Sequence, residues 1–280
     1  QGPVLVDVPI SAAAAPAKQR SIRRAPASAT APAGEALAQA RAWLAEAERP
    51  LTVIGLDALQ EGAGPALQSF LETHRIPFVT SYKAKGIIPE DHPLCLGGAG
   101  LSPRADKHLL PLVEQSDLIL SLGYDPIEMR PGWRDAWDVA RTRVIDITPE
   151  SNTHYMHQSS LPLVADIPAT LAALAVAPQP ATLWPGGEIP DTQKALAGAF
   201  PRSDDWGPAG VIAQCIESLP ADTLLTADSG AHRILLSQMW PCTEPRQLAQ
   251  SSGLCTMAVP CRSPWGASLQ ILTAPLSASP

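Results

Sequence analysis

The sequence lacks the features that would mark several functional classes. It has no Lys/Arg cluster denser than residues 20–24 (RSIRR), which read as a solvated linker, and its formal net charge is −7; nucleic acid is therefore not an expected partner. No apolar stretch reaches the roughly 18 residues that a membrane span needs, so no membrane association is expected. The cysteines Cys95, Cys215, Cys242, Cys255 and Cys261 are odd in number and show neither CxxC nor Cys/His ligand spacing. That argues against a disulfide framework and a zinc site, and fits a reduced, cytoplasmic setting. GxGxxG and GxxxxGK[ST] are both missing, which leaves dinucleotide and Walker-type phosphate binding without support. Residues 258–280 contain no Asp, Glu or Lys, so they offer no hard anionic ligand to a divalent cation.

What is present is a globular composition, 45% hydrophobic over 280 residues, enough for one large domain or two ordinary ones. Residues 2–10 (GPVLVDVPI) form an apolar, β-branched run behind a Gly-Pro breaker and read as a buried strand. A strand cannot satisfy its own backbone groups, so a sheet upstream of Gln1 is expected and the chain is expected to be a fragment. Residues 11–33 are rich in Ala, Pro and Ser and read as a linker. Helices are then expected over 34–48, 63–74, 105–115 and 168–174, alternating with strands over 51–55, 78–81, 118–123, 143–147 and 163–165. Strands spaced by helices imply parallel crossovers, so residues 33–177 are expected to be one doubly wound, Rossmann-like α/β domain. Residues 178–205 concentrate Pro and Gly and read as a second linker. A truncated second α/β domain is expected from 206, with a helix over 208–218 and a strand over 222–226. The turn Asp228-Ser229-Gly230-Ala231-His232 follows that strand, where open α/β sheets bind ligands; it could equally be a plain turn with a capping Asp.

Other candidates are weaker. His154 and His157 are three apart, a spacing that can hold a metal on a helix, but no further ligand lies nearby and a surface role is favoured. Asp146 ends a strand where dinucleotide folds put a ribose-binding acid, or it caps the next turn. No catalytic set and no metal site are assigned.

The combined order of motifs is more specific than any single site. Gly2-Pro3-Val4-Leu5-Val6-Asp7-Val8-Pro9, the segment Lys85-Gly86-Ile87-Ile88-Pro89-Glu90-Asp91-His92-Pro93-Leu94, the Asp228–His232 turn and Ser251-Ser252-Gly253-Leu254-Cys255-Thr256-Met257 stand in sequence. This pattern resembles the thiamine-diphosphate-dependent enzymes of the acetolactate synthase type. The resemblance implies the last strand of a pyrimidine-binding domain and a linker over 1–32, a central domain over 33–177, a linker over 178–205 and the start of a diphosphate-binding domain over 206–257. It also implies that Gly230, Ala231 and His232 contact the cofactor diphosphate and that Met257 props the cofactor in its bent shape. Cys255 stands where the family usually has Gly.

For the parent, the resemblance implies thiamine diphosphate and Mg²⁺ as cofactors, a 2-oxo acid as substrate, decarboxylation with carboligation, and a homodimer or homotetramer. The glutamate that activates the cofactor would lie upstream of Gln1, and no Gly-Asp-Gly metal motif follows Met257. The chain alone is therefore expected to be inactive and not to bind the cofactor. FAD, held by some relatives, is disfavoured because Gly123-Tyr124-Asp125-Pro126-Ile127-Glu128-Met129-Arg130 lacks the flavin binders' Asp and Arg pattern. Restoring one G after the Met257 codon regroups AVPCRSPWG as Gly-Cys-Ala-Val-Pro-Leu-Ala-Val-Gly, close to the family's continuation, so 258–280 is read as an out-of-frame tail. The competing readings are a non-catalytic α/β binding or oligomerisation module and a decayed gene product.

Overall fold

The computed structural model describes residues 7, 9–10, 29–129, 131–152, 156–175, 183–202 and 206–250. Most of the expected first strand and first linker, His154, Met257 and the whole tail lie outside the described residues.

The chain enters through α1 (Gly34–Glu46) and β1 (Pro50–Ile54), then α2 (Leu56–Gln60), α3 (Gly64–His74), β2 (Phe78–Ser81) and β3 (Cys95–Ala99). It continues through α4 (Pro103–Gln115), β4 (Leu118–Leu122), β5 (Arg143–Thr148), β6 (Leu161–Val164) and α5 (Ile167–Leu174). The six strands form one parallel sheet in the order β3-β2-β1-β4-β5-β6. Both β1 and β4 are buried along their whole length, as a parallel sheet covered on both faces requires.

The two-residue period of a strand divides the core. Ile54, Leu118, Leu120, Leu122, Ile145 and Ile147 face Leu44 of α1, Leu67 and Leu71 of α3 and Leu171 of α5. Leu51, Val53, Ile119 and Val144 face the other way, against Leu109 and Leu112 of α4. Each such side chain, taken fully out of water, contributes about 1.5–3 kcal/mol. Helix starts are built locally. Ser102 accepts from the Ala105 N–H, with Pro103 behind it, and Asp166 accepts from the Ala169 N–H at 2.7 Å.

Several elements depart from the sequence reading, among them an edge strand and a helix in the second linker. β3 had not been expected: Cys95-Leu96-Gly97-Gly98-Ala99 has little strand propensity but pairs with β2 at the sheet edge. The stretch read as a linker, 178–205, holds α6 (Glu188–Ala199), whose Leu196 packs on the α4 side of the core. Pro190 sits in its first turn, where no intrahelical N–H is required.

The remaining elements are α7 (Pro208–Ser218), β7 (Leu225–Ala227), α8 (Ala231–Met239) and β8 (Leu248–Gln250). β7 and β8 form a separate two-stranded parallel sheet. The strand is shorter and later than the expected 222–226.

Candidate functional site

Strand order reverses between β1 and β4, and the crevice above that point is where an open α/β sheet ordinarily takes a ligand. Here the chain fills it. A Cβ placed on Gly55 would lie 2.3 Å from the Gly123 carbonyl oxygen, and one on Gly123 (φ +58°) would lie 2.3 Å from the Ala58 nitrogen. Both glycines are therefore needed for loop-on-loop contact, and the space between the loops is gone. The Glu128 carboxylate completes the closure: it accepts from the Leu56 N–H at 3.0 Å and from the Ser81 hydroxyl. Glu128 is buried, and burial holds its carboxyl above the usual carboxylate range against the lowering pull of those donors. Burial likewise pushes up the Tyr124 phenol beside it.

Asp146 is neither a ribose acid nor a cap. It points across the sheet, where its carboxylate accepts from the Ser121 hydroxyl at 2.6 Å. His157 lies 3.7 Å from the other carboxylate oxygen with its side chain 2% exposed, which corrects the expectation of a surface histidine. Its ring packs between Tyr124 and Trp137, at centroid distances of 5.6 and 5.7 Å. Ser121, Asp146 and His157 form a buried polar patch with the carboxylate in the middle, so no hydroxyl is set against an imidazole base as nucleophilic catalysis requires.

The second site is the turn after β7. The Asp228 carboxylate accepts from the Ser229 N–H at 2.7 Å, and Gly230 caps α8 with φ +153°. The Arg233 N–H closes on the Gly230 carbonyl at 3.1 Å. Gly230, Ala231 and His232, consecutive in the chain, are all exposed. An added Cβ on Gly230 would sit 2.7 Å from the His232 ring. The His232 ring thus lies over Gly230, and any side chain at that position would have to displace it. An exposed helix start of this kind is one that takes a phosphate group. For the metal that would accompany it there is no match: among the described residues no group of three or more His, Cys, Asp or Glu could hold an ion.

Comparison with known proteins accords with this layout. The family model described as "Thiamine pyrophosphate enzyme, central domain" matches residues 37–174, the span of the six-stranded sheet and its helices. The acetolactate synthase of Bacillus subtilis (strain 168) is 28% identical over 257 residues, covering 85% of this chain and 42% of that protein. Residues 37–174 belong to the thiamine pyrophosphate enzyme central-domain family. The large subunit of acetolactate synthase isozyme 1 of Escherichia coli (strain K12) is 25% identical over 278 residues, 96% of this chain and 48% of that one. The 3D-(3,5/4)-trihydroxycyclohexane-1,2-dione hydrolase of Geobacillus thermodenitrificans (strain NG80-2) is 24% identical over 242 residues, 76% of this chain and 37% of that one. The chain therefore spans less than half the length of each of these relatives.

Sequence reasoning found the Asp228–His232 turn but missed Glu128 and Ser81. The signal for Glu128 was present in the strand-end string that contains Asp125-Pro126-Ile127-Glu128. What it lacked was the partner, which is 47 residues away in the chain.

Proposed function

We propose that this chain is the central and partial diphosphate-binding portion of a thiamine-diphosphate- and Mg²⁺-dependent enzyme of the acetolactate synthase type, one that decarboxylates a 2-oxo acid and passes the product carbanion equivalent to an acceptor. The observation that carries the reading is the Gly230–His232 turn at the end of β7, downstream of a thiamine pyrophosphate enzyme central domain. Thiamine diphosphate, when bound, supplies the electron sink for that chemistry. The chain's own contribution is to seat the diphosphate: N–H groups of the α8 start donate to phosphate oxygens, and the His232 imidazole, which lies over Gly230, offers a further donor.

Within this reading residues 33–177 act as scaffold, and 206–257 as the start of the cofactor-binding domain. The filled switch-point crevice supports a central domain that holds no flavin, since Glu128 already uses the Leu56 N–H. The parent is read as a cytoplasmic homodimer or homotetramer. The chain by itself is read as inactive, because its sequence contains no Gly-Asp-Gly motif and no match to the activating glutamate. The test is release of CO₂ from pyruvate by the purified chain with thiamine diphosphate and Mg²⁺. No release above the protein-free control is expected, and sustained turnover overturns the inactive reading.

A further inference from the structure

The segment Lys85-Gly86-Ile87-Ile88-Pro89-Glu90 carries part of the family resemblance, yet it takes no part in the diphosphate turn or in the switch-point crevice. It leaves β2 and leads toward β3, the edge strand of the large sheet. Lys85, 4% exposed, forms an ion pair with Glu90. The same Glu90 carboxylate oxygen accepts from the Cys242 N–H at 2.8 Å, while the Glu90 N–H donates to the Cys242 carbonyl at 3.0 Å. Glu90 thus closes a two-point ring on the main chain of a residue 152 positions away. Gly86 has φ +78°, and a Cβ there would lie 2.2 Å from the Glu244 carbonyl oxygen. The two backbones touch at that point.

The neighbouring edge is treated alike. The amide of Gln238, on α8, donates to the Gly98 carbonyl of β3 at 3.0 Å, and Gln193 of α6 donates to the carbonyls of Pro93 and Cys95 at 2.8 and 3.1 Å. An edge strand presents main-chain groups that must find partners or stay wet, and here side-chain amides supply them. A buried charge pair is held only where its remaining valences are satisfied, and the Cys242 N–H satisfies Glu90.

We propose that the 85–90 segment is the docking element that holds the C-terminal α/β unit, residues 206–250, on the open edge of the large sheet. Cys242 is fully buried and belongs to the small core of that unit with Ala227, Trp240 and Leu248. The ring on its backbone therefore joins the two cores directly. One consequence, that α8 and the turn at its start are held in a set position relative to the sheet, rests on the cofactor reading above; the docking does not.

Amide hydrogen exchange on the full chain tests this, comparing the unaltered protein with Glu90→Gln and with Gly86→Ala. Glu90→Gln keeps an acceptor for the Cys242 N–H but discharges the pair with Lys85, and Gly86→Ala pushes the 242–244 backbone away without removing a polar group. Exchange over 225–250 is expected to accelerate at least about tenfold, the change that 1.4 kcal/mol brings, while β1, β4 and β5 keep their protection. Unchanged exchange over 225–250 in both variants overturns the proposal. So does protection lost equally from β1 and β4, which would make the segment part of the large core and nothing more. Turnover by the chain alone would overturn the inactive reading and leave this measurement untouched, so the two fail separately.

Discussion

The two α/β units differ in how far each can stand alone. In the larger, six parallel strands lie between helices on both faces, and Leu120 at its centre is 1% exposed. In the smaller, β7 and β8 are three residues each, the core is Ala227, Trp240, Cys242 and Leu248, and Trp206 is 95% exposed. A parallel pair has no hairpin to close it and gains stability only when its faces and edges are covered. The smaller unit therefore leans on the larger through Glu90, Gly86 and Gln238. Family membership resides in the unit that is self-sufficient, and the candidate cofactor contacts reside in the one that is not.

The sharpest way to break this comparison is to cut into each unit. Leu120→Ala removes a side chain that packs at the centre of the large sheet and should cost about 2–5 kcal/mol, read as a lower denaturation midpoint. Trp206→Ala, at an exposed position, should stay within about 0.5 kcal/mol. Comparable losses would show that Trp206 is packed in solution rather than exposed.

A medium effect is expected at Glu128. Burial raises its folded-state pKa, so between the ordinary carboxylate value and that raised value the native state holds more protons than the unfolded one. Stability should then fall as pH rises through that window and be regained as pH drops back toward the ordinary value. Glu128→Gln should flatten this dependence in urea midpoints measured across about pH 4 to 8, from the ordinary carboxylate range upward. The same slope in both proteins would mean that the carboxyl is not buried in solution.

The smallest effect separates two thiols. Burial pushes Cys95 up to about 12 and Cys242 up to about 11, so both should resist alkylation at pH 8, where a free thiol of pKa about 8.5 is already partly ionised. Local opening of the smaller unit should nevertheless expose Cys242 first. Peptide-resolved mass spectrometry should show Cys242 labelled roughly several-fold faster than Cys95, through sub-global opening of the smaller unit. Equal rates would mean that the two units open together.

Most of the large sheet and the first helix of the smaller unit were legible because their signals are local. Phe78–Ser81 and Pro208–Ser218 were read with the bounds they have, from a short apolar run and from a Pro-started amphipathic stretch. β3 and α6 were not legible. The first carries two glycines and becomes a strand through pairing with β2, and the second hides behind Pro185, Gly186, Gly187 and Pro190. The 228–232 turn was read as a ligand turn from its place after a strand, and Gly230, Ala231 and His232 as its contacts from the family resemblance; the neighbouring Trp206 and the groove it lines with Leu236 were not read.

The sequence by itself determined the α/β alternation, the parallel connectivity and the family, since hydrophobic period and motif order are properties of neighbouring residues. Tertiary structure alone decided the closure of the crevice by Glu128, the burial of His157 against Asp146 and the ring between Glu90 and Cys242. Glu128 meets Ser81 across 47 residues and Leu56 across 72, and Glu90 meets Cys242 across 152. A carboxylate's role depends on which donors surround it and how much water they exclude, and donors that distant come into reach only when the sheet has assembled.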